Sequence, residues 1–157
     1  MISSATAPAV VRRYNIPEAI HRLGAMAEPD YVDLFTAPTS AEAQTHTKSP
    51  VQWLRAVLYE APLRVRVVVI AALLTQRAAL RMSSSWRIAD SGSDWVRIEA
   101  SSSLLTGHVL LRREQSQVSM ATFVHYERPA ARRVWPPVSV VHRAVARVLV
   151  RQAARVA

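Results

Sequence analysis

The chain has 157 residues, half of them apolar, with three glycines and no cysteine; that length supports one domain with a sizeable core, and disulfide and thiol chemistry are excluded. Its formal charge is +9, carried almost wholly by arginine, since Lys48 is the lone lysine. Such a balance suits an anionic partner, and it equally suits a GC-rich coding bias that raises Arg, Ala and Val together.

In chain order, Met1 to Val11 reads as a Ser/Ala-rich tail without the charged and apolar regions of a signal peptide. Ile16 to Met26 suits a short helix, with Pro17 at its first position and Gly24 near its end. Asp30 to Ala37 reads as a strand with Tyr31, Asp33 and Phe35 opposite Val32 and Leu34, stopped by Pro38. Thr39 to Lys48 is polar and loop-like. Ser49-Pro50 pairs a capping side chain with proline at the first helical position, starting a helix to about Glu60 with Trp53, Val57 and Leu58 inward. Pro62 ends it, and a second helix follows from Leu63 to about Leu80. Its β-branched cluster at 65–70 also suits a buried strand, but length and the Ala-Ala-Leu-Leu continuation favour a helix. The longest apolar run, Val67 to Leu74, is far short of the roughly 20 residues of a spanning helix. The expectation is a cytoplasmic protein, at most peripheral to a membrane.

The period then changes to two. Ser85 to Ala89 and Trp95 to Ser101 read as strands joined by the turn-forming Asp90-Ser91-Gly92-Ser93-Asp94. Leu104 to Arg113 is a further strand, and Gln117 to Tyr126 is the longest. There Val118, Met120, Thr122, Val124 and Tyr126 share one face, and Ser119, Ala121, Phe123 and His125 share the other. Glu127-Arg128-Pro129 breaks the strand and Trp135-Pro136-Pro137 punctuates a connector. From Val138 to Val156 the period is helical, with an apolar stripe of Val138, Val141, Val145, Val148, Leu149, Ala153 and Val156. The order predicts an α+β fold: a curved antiparallel sheet gripping a long C-terminal helix over Val138–Arg155, with a helix pair after the first strand. Residues 1–29 would form a tail and short helix, and 30–157 the domain itself. A sheet that curls about one helix encloses space, so a cavity is expected between them.

The acid–base candidates are His108, His125, His142 and Glu99. His108 shares a strand face with Leu104, Thr106, Leu110 and Arg112; His125 shares one with Ser119, Ala121 and Phe123; His142 flanks the apolar stripe. They either converge on the cavity or are unrelated half-exposed histidines. Glu99 alternates with Val96, Ile98 and Ala100. It is a solvated partner of Arg97 if the aliphatic face packs on the helices, and a buried carboxylate needing Arg87 or Arg112 if it does not. No His-x-x-x-His or neighbouring carboxylate supplies a metal site. No Gly-x-Ser-x-Gly elbow exists, and three glycines cannot build phosphate loops, so no metal and no cofactor is expected. Trp135 beside Pro136-Pro137 is either a packed hinge residue or a gate or membrane anchor.

Several segments together resemble a known superfamily. Asp-Tyr-Val-Asp-Leu-Phe at 30–35, Trp86-Arg87-Ile88, Ile98-Glu99-Ala100-Ser101-Ser102, Ala-Thr-Phe-Val-His-Tyr at 121–126 and His142-Arg143 occur in the order of the helix-grip fold of the START, polyketide-cyclase and birch-pollen-allergen superfamily (SRPBCC). They also resemble an actinobacterial branch of it. The resemblance runs from residue 30 to the C-terminus, and the apolar helix pair at 50–80 departs from it. It implies a hydrophobic ligand held between sheet and helix. It implies no particular reaction, because the superfamily holds carriers, cyclases, hydrolases and plain binding modules.

The function expected is therefore binding of a hydrophobic or amphipathic small molecule, a lipid or polyketide-like compound. Candidate lining residues are Val109, Leu111, Met120, Thr122 and Phe123 from the strands, Val141, Val145 and Val148 from the helix, and Trp135. Neighbouring strand residues point to opposite faces, so only part of this set can share a wall. One alternative is a cyclase-, aromatase- or hydrolase-type enzyme using His108, His125, Glu99 or His142. Another is an Arg-rich surface for anionic lipid or nucleic acid. Arginine is spread over most of the expected elements, so dispersed charge and only weak, salt-sensitive nucleic-acid binding are expected.

Overall fold

The computed structural model describes residues 9–39, 48–81 and 85–157; residues 1–8 of the expected tail and 40–47 of the polar stretch lie outside them. Six strands form one curved antiparallel sheet in the order β1-β2-β6-β5-β4-β3. They are β1 (Val11–Arg13), β2 (Tyr31–Pro38), β3 (Arg87–Ser91), β4 (Trp95–Ser101), β5 (Leu105–Arg113) and β6 (Gln117–Tyr126). The helices among the described residues are α1 (Glu18–Gly24), α2 (Pro50–Tyr59), α3 (Leu63–Ala79) and α4 (Ala131–Val156). The fold is α+β, with α2 and α3 following β2 and the long helix at the C-terminus. Val11–Arg13, expected to be tail, instead adds an edge strand whose Val11 pairs with Thr36.

Strand register builds the concave face in rows. Phe35, Met120, Leu111 and Val96 lie side by side across β2, β6, β5 and β4; Asp33, Thr122, Val109 and Ile98 form the next row. The row after that is Tyr31, Val124, Gly107 and Ala100, and its last two members are small. The first row packs with Trp53 and Val57 of α2 against Ala146, Val150, Ala153 and Ala154 of α4. Alanines let the helix approach closely there, and the Trp53 indole donates to the Ala153 carbonyl at 3.2 Å. Helix α2 starts with a capping box: Ser49 Oγ accepts from the Gln52 amide, and Gln52 Oε1 accepts from the Ser49 amide at 2.9 Å.

Helix α4 covers the expected Val138–Arg155 but begins seven residues before Val138, at Ala131. Pro136 and Pro137 therefore lie inside it rather than in a connector. Their missing N–H groups free carbonyls of the first turn, where Arg132 and Arg133 are exposed and water can take over.

The convex face carries its own small core. Leu34, Leu110, Ala121 and Phe123 pack under Ile20 and Leu23 of α1. Gly24 is the last residue of this helix, near whose end it was expected, and the left-handed position beyond it falls to Ala25, with φ 51°. Gly24 is required instead by proximity: a Cβ on it would lie 2.4 Å from the Phe123 ring. Gly24→Ala should therefore destabilise the fold by about 1–3 kcal/mol through overpacking, outweighing the helix gain of about 0.5–1 kcal/mol. Urea unfolding measures this. Phe123→Leu should cost less in the Gly24→Ala background than alone, and equal costs would sink the steric account.

Candidate functional site

The small third row leaves space between sheet and helices. A cavity of about 130 Å³ lies under α4, lined by Leu54 and Val57 of α2, Leu73 and Gln76 of α3, Val96, Ile98, Val109, Leu111 and Met120 of the sheet, and His142, Val145 and Leu149 of α4. It adjoins a wider recess of about 260 Å³ between α3 and β5, lined by Ile70, Leu74, Leu80, Leu105 and Gly107. Leu73, Gln76 and Trp86 line both. Trp86 sits at the mouth over Gly107, where even a Cβ would meet the indole only at ordinary contact distance, 3.6 Å. Both volumes far exceed the roughly 10–15 Å³ that one water needs, and walls this apolar favour apolar guests.

Arg77 also lines the outer recess, and two polar groups interrupt the apolar wall of the inner cavity. Gln76 is buried, and its Nε2 has no hydrogen-bond partner among the described residues. His142 is the other. Its Nε2 shares a hydrogen bond of 2.9 Å with Thr122 Oγ1 and stands 3.7 Å from Asp33 Oδ2. The latter distance is an electrostatic contact rather than a hydrogen bond. The Tyr31 hydroxyl donates to the same Asp33 oxygen at 2.7 Å, while Asp33 Oδ1 is buried without a hydrogen-bond partner among the described residues. Burial, then the charge of Asp33, raises the Tyr31 phenol to about 12, so it stays a donor. Burial lowers the His142 pKa more than Asp33 raises it, and Arg143 lowers it further. The imidazole is therefore neutral at neutral pH, able to donate at one nitrogen and accept at the other.

The structure separates the four acid–base candidates. His142 alone reaches the cavity. Glu99 and His108 lie on the convex face, because Val96, Ile98 and Ala100 are the side chains of β4 that turn to the helices. Glu99 accepts from Arg87 Nη2 at 3.0 Å and Arg97 Nε at 3.2 Å, and stands 3.7 Å from His108 Nε2. Arg97 donates to the Leu23 carbonyl at 2.9 Å, and His108 Nδ1 is 2.8 Å from the Gly24 carbonyl. That carbonyl can only accept, so Nδ1 carries the proton. The cluster thus holds the C-terminal end of α1, where cations are favoured. His125 is exposed at the end of β6, 3.3 Å from Asp30 Oδ2.

Of the lining candidates, Val109, Leu111, Met120 and Val145 are in the cavity wall. Thr122 holds His142 from the next position along β6. Phe123 is corrected: it points to the convex face under Gly24, as alternation with Thr122 requires. Val141 faces outward, and Val148 is half-buried away from the cavity wall. Trp135 is no gate. It is buried with its ring 5.2 Å from Tyr31 and 5.6 Å from His142, so it packs the floor beneath the imidazole. Gln76 and Asp33 were not singled out in the sequence. Asp33 had a signal, as the polar member of the strand face it shares with Tyr31 and Phe35; Gln76 had none, because apolar residues lie on every side of α3.

Among the described residues no group of three or more His, Asp or Glu side chains could hold a metal ion, and no helix is long and apolar enough to cross a membrane. No protein-family model, curated protein or solved structure matches the chain.

The lowered His142 pKa has a definite sign. As pH falls below about 6.5, the unfolded chain takes up a proton that folded His142 refuses, so stability falls with it until the folded pKa is reached; above the unfolded value the group contributes no slope. His142→Gln should flatten the wild-type loss of stability between about pH 7 and pH 5, read by urea unfolding at each pH. Equal losses in both proteins would contradict the assignment.

Proposed function

We propose that this protein binds a hydrophobic or amphipathic small molecule, lipid-like or polyketide-like, in the cavity between the sheet and helices α2, α3 and α4. The carrying observation is the unpartnered Gln76 amide shared by both parts of the recess. A buried amide without a partner costs about 1–3 kcal/mol, and a guest that brings one acceptor into an otherwise apolar chamber removes that cost. The guest is thus an elongated apolar body with one polar end near Gln76 and His142. The curved antiparallel sheet and the long C-terminal helix are compatible with the helix-grip resemblance, from which the helix pair departs, and support reading the protein as one of the carriers or binding modules of that superfamily.

One observation favours a second reading. Neutral His142, backed by Asp33, is suited to accept a proton from a guest, as a cyclase- or hydrolase-type catalyst requires. Glu99, His108 and His125 lie away from this chamber, so an enzyme would work with His142 alone. A His142→Gln variant that still binds guests but loses turnover would select that reading.

Filling the chamber should abolish binding. Val145→Trp, or Val109→Phe from the opposite wall, should cut the fluorescence titration of N-phenylnaphthylamine by about tenfold or more while far-UV circular dichroism is retained. Wild-type affinity in both folded variants would refute the proposal.

Gln76→Leu should leave the fold as stable or up to about 1 kcal/mol more so, because it removes the unsatisfied amide. It should keep N-phenylnaphthylamine binding and lower affinity for a fluorescent fatty acid by about tenfold. Unchanged fatty-acid affinity would remove Gln76 from the site.

A further inference from the structure

Helix α3 is apolar on the side that faces away from the protein. Within its 17 residues only Val69 and Gln76 are buried. Leu63, Val67, Ile70 and Leu74 are 52–73 % exposed. Their spacing places them on one stripe along the outer face, opposite the inward Val65, Val69, Ala72 and Gln76. Val68 is exposed too, on the flank beside Arg64, and so is Tyr59 at the end of α2. Across the recess mouth, Trp86 and Ile88 are also exposed. Single exposed aliphatic residues need no explanation, but a continuous patch does.

Charge decides what covers it. Arg64 lies on one flank of the stripe, Arg66 and Arg77 lie on the other, and Arg81 follows the helix end. Residues 63–79 include no Asp or Glu. Two copies packed antiparallel through α3 would set Arg64 and Arg66 against Arg77 and Arg81, and parallel packing would set each arginine near its own copy. Neither offers a carboxylate from this helix. An anionic phospholipid surface accepts both features: aliphatic side chains enter the acyl boundary while flanking guanidinium groups stay with the phosphates.

We propose that α3 is a docking helix that lies in the plane of an anionic membrane surface, with the recess mouth at Ile70, Leu74 and Trp86 turned toward the lipid. Docking follows from exposure and charge alone. That the bilayer is also the source of the guest rests on the binding reading above.

Flotation of the full chain with phosphatidylcholine vesicles, with and without phosphatidylglycerol, tests this. The protein should float with the anionic vesicles and stay behind with pure phosphatidylcholine. Leu63→Glu/Val67→Glu should lower the partition coefficient by about tenfold or more, and Arg64→Gln/Arg66→Gln by about fivefold per arginine. None of these four side chains lines the recess, so N-phenylnaphthylamine binding should stay at the wild-type level in both variants; this separates failure of docking from failure of the binding reading. The proposal is overturned if wild-type protein stays behind with anionic vesicles, or if Leu63→Glu/Val67→Glu floats as well as wild type. It is overturned equally if sedimentation equilibrium shows a wild-type dimer that this variant dissolves, for the stripe would then be covered by a second copy.

Discussion

Helix α4 is fastened to the sheet at its two ends and spans a gap between them. At the C-terminal end, alanines bring its backbone close to the first row of the sheet, and the Trp53 indole grips the Ala153 carbonyl. At the N-terminal end, Ala131 and Trp135 pack with Leu80, Leu105 and Val124, and Thr122 holds His142. Neither core can close over the middle without unseating the other, because a helix is stiff over this length. Val145 and Leu149 face Val96, Ile98, Val109, Leu111 and Met120 across the gap without filling it. The chamber is a consequence of where the large side chains stand, and every candidate functional group is defined by its position relative to it.

The reverse of the sheet obeys different chemistry. A short helix of seven residues has little apolar surface to bury, so its attachment relies on Gly24 seated on Phe123 and on Arg97 and His108 reaching its terminal carbonyls. Glu99 gathers those two side chains. A carboxylate, a histidine and two arginines within hydrogen-bond reach resemble catalytic machinery, yet here their partners are a helix end and one another. Residue type alone would not have separated this cluster from the one at His142; the face of the strand does.

Much of the fold was legible because periodicity reports geometry directly. The alternation in Gln117–Tyr126 and the stripe beginning at Val138 map onto β6 and α4, and Ser49-Pro50 marked the start of α2 to the residue. What was hidden depends on contacts between distant segments. The sequence does not say that α1 covers the convex face, so Phe123 looked as good a lining residue as Met120. Prolines ordinarily mark a boundary, so about the first two turns of α4 read as a connector. Val11–Arg13 has too few residues for a period to show. In α3 the apolar residues are so numerous that no face stands out, and only packing reveals that Gln76 is inside while Leu63 and Val67 are outside.

Both margins of the sheet are unattractive to another strand. β1 is three residues long and carries Arg12 and Arg13. β3 carries Arg87 and Asp90 and shifts register between Ile88 and Asp90. Short, charged and bulged margins are poor templates for edge-to-edge growth. Like net charge already sets copies of this chain against one another, and the margins steer it away from cross-strand polymerisation, so it can display aliphatic side chains on a helix while offering few unpaired amides to its neighbours.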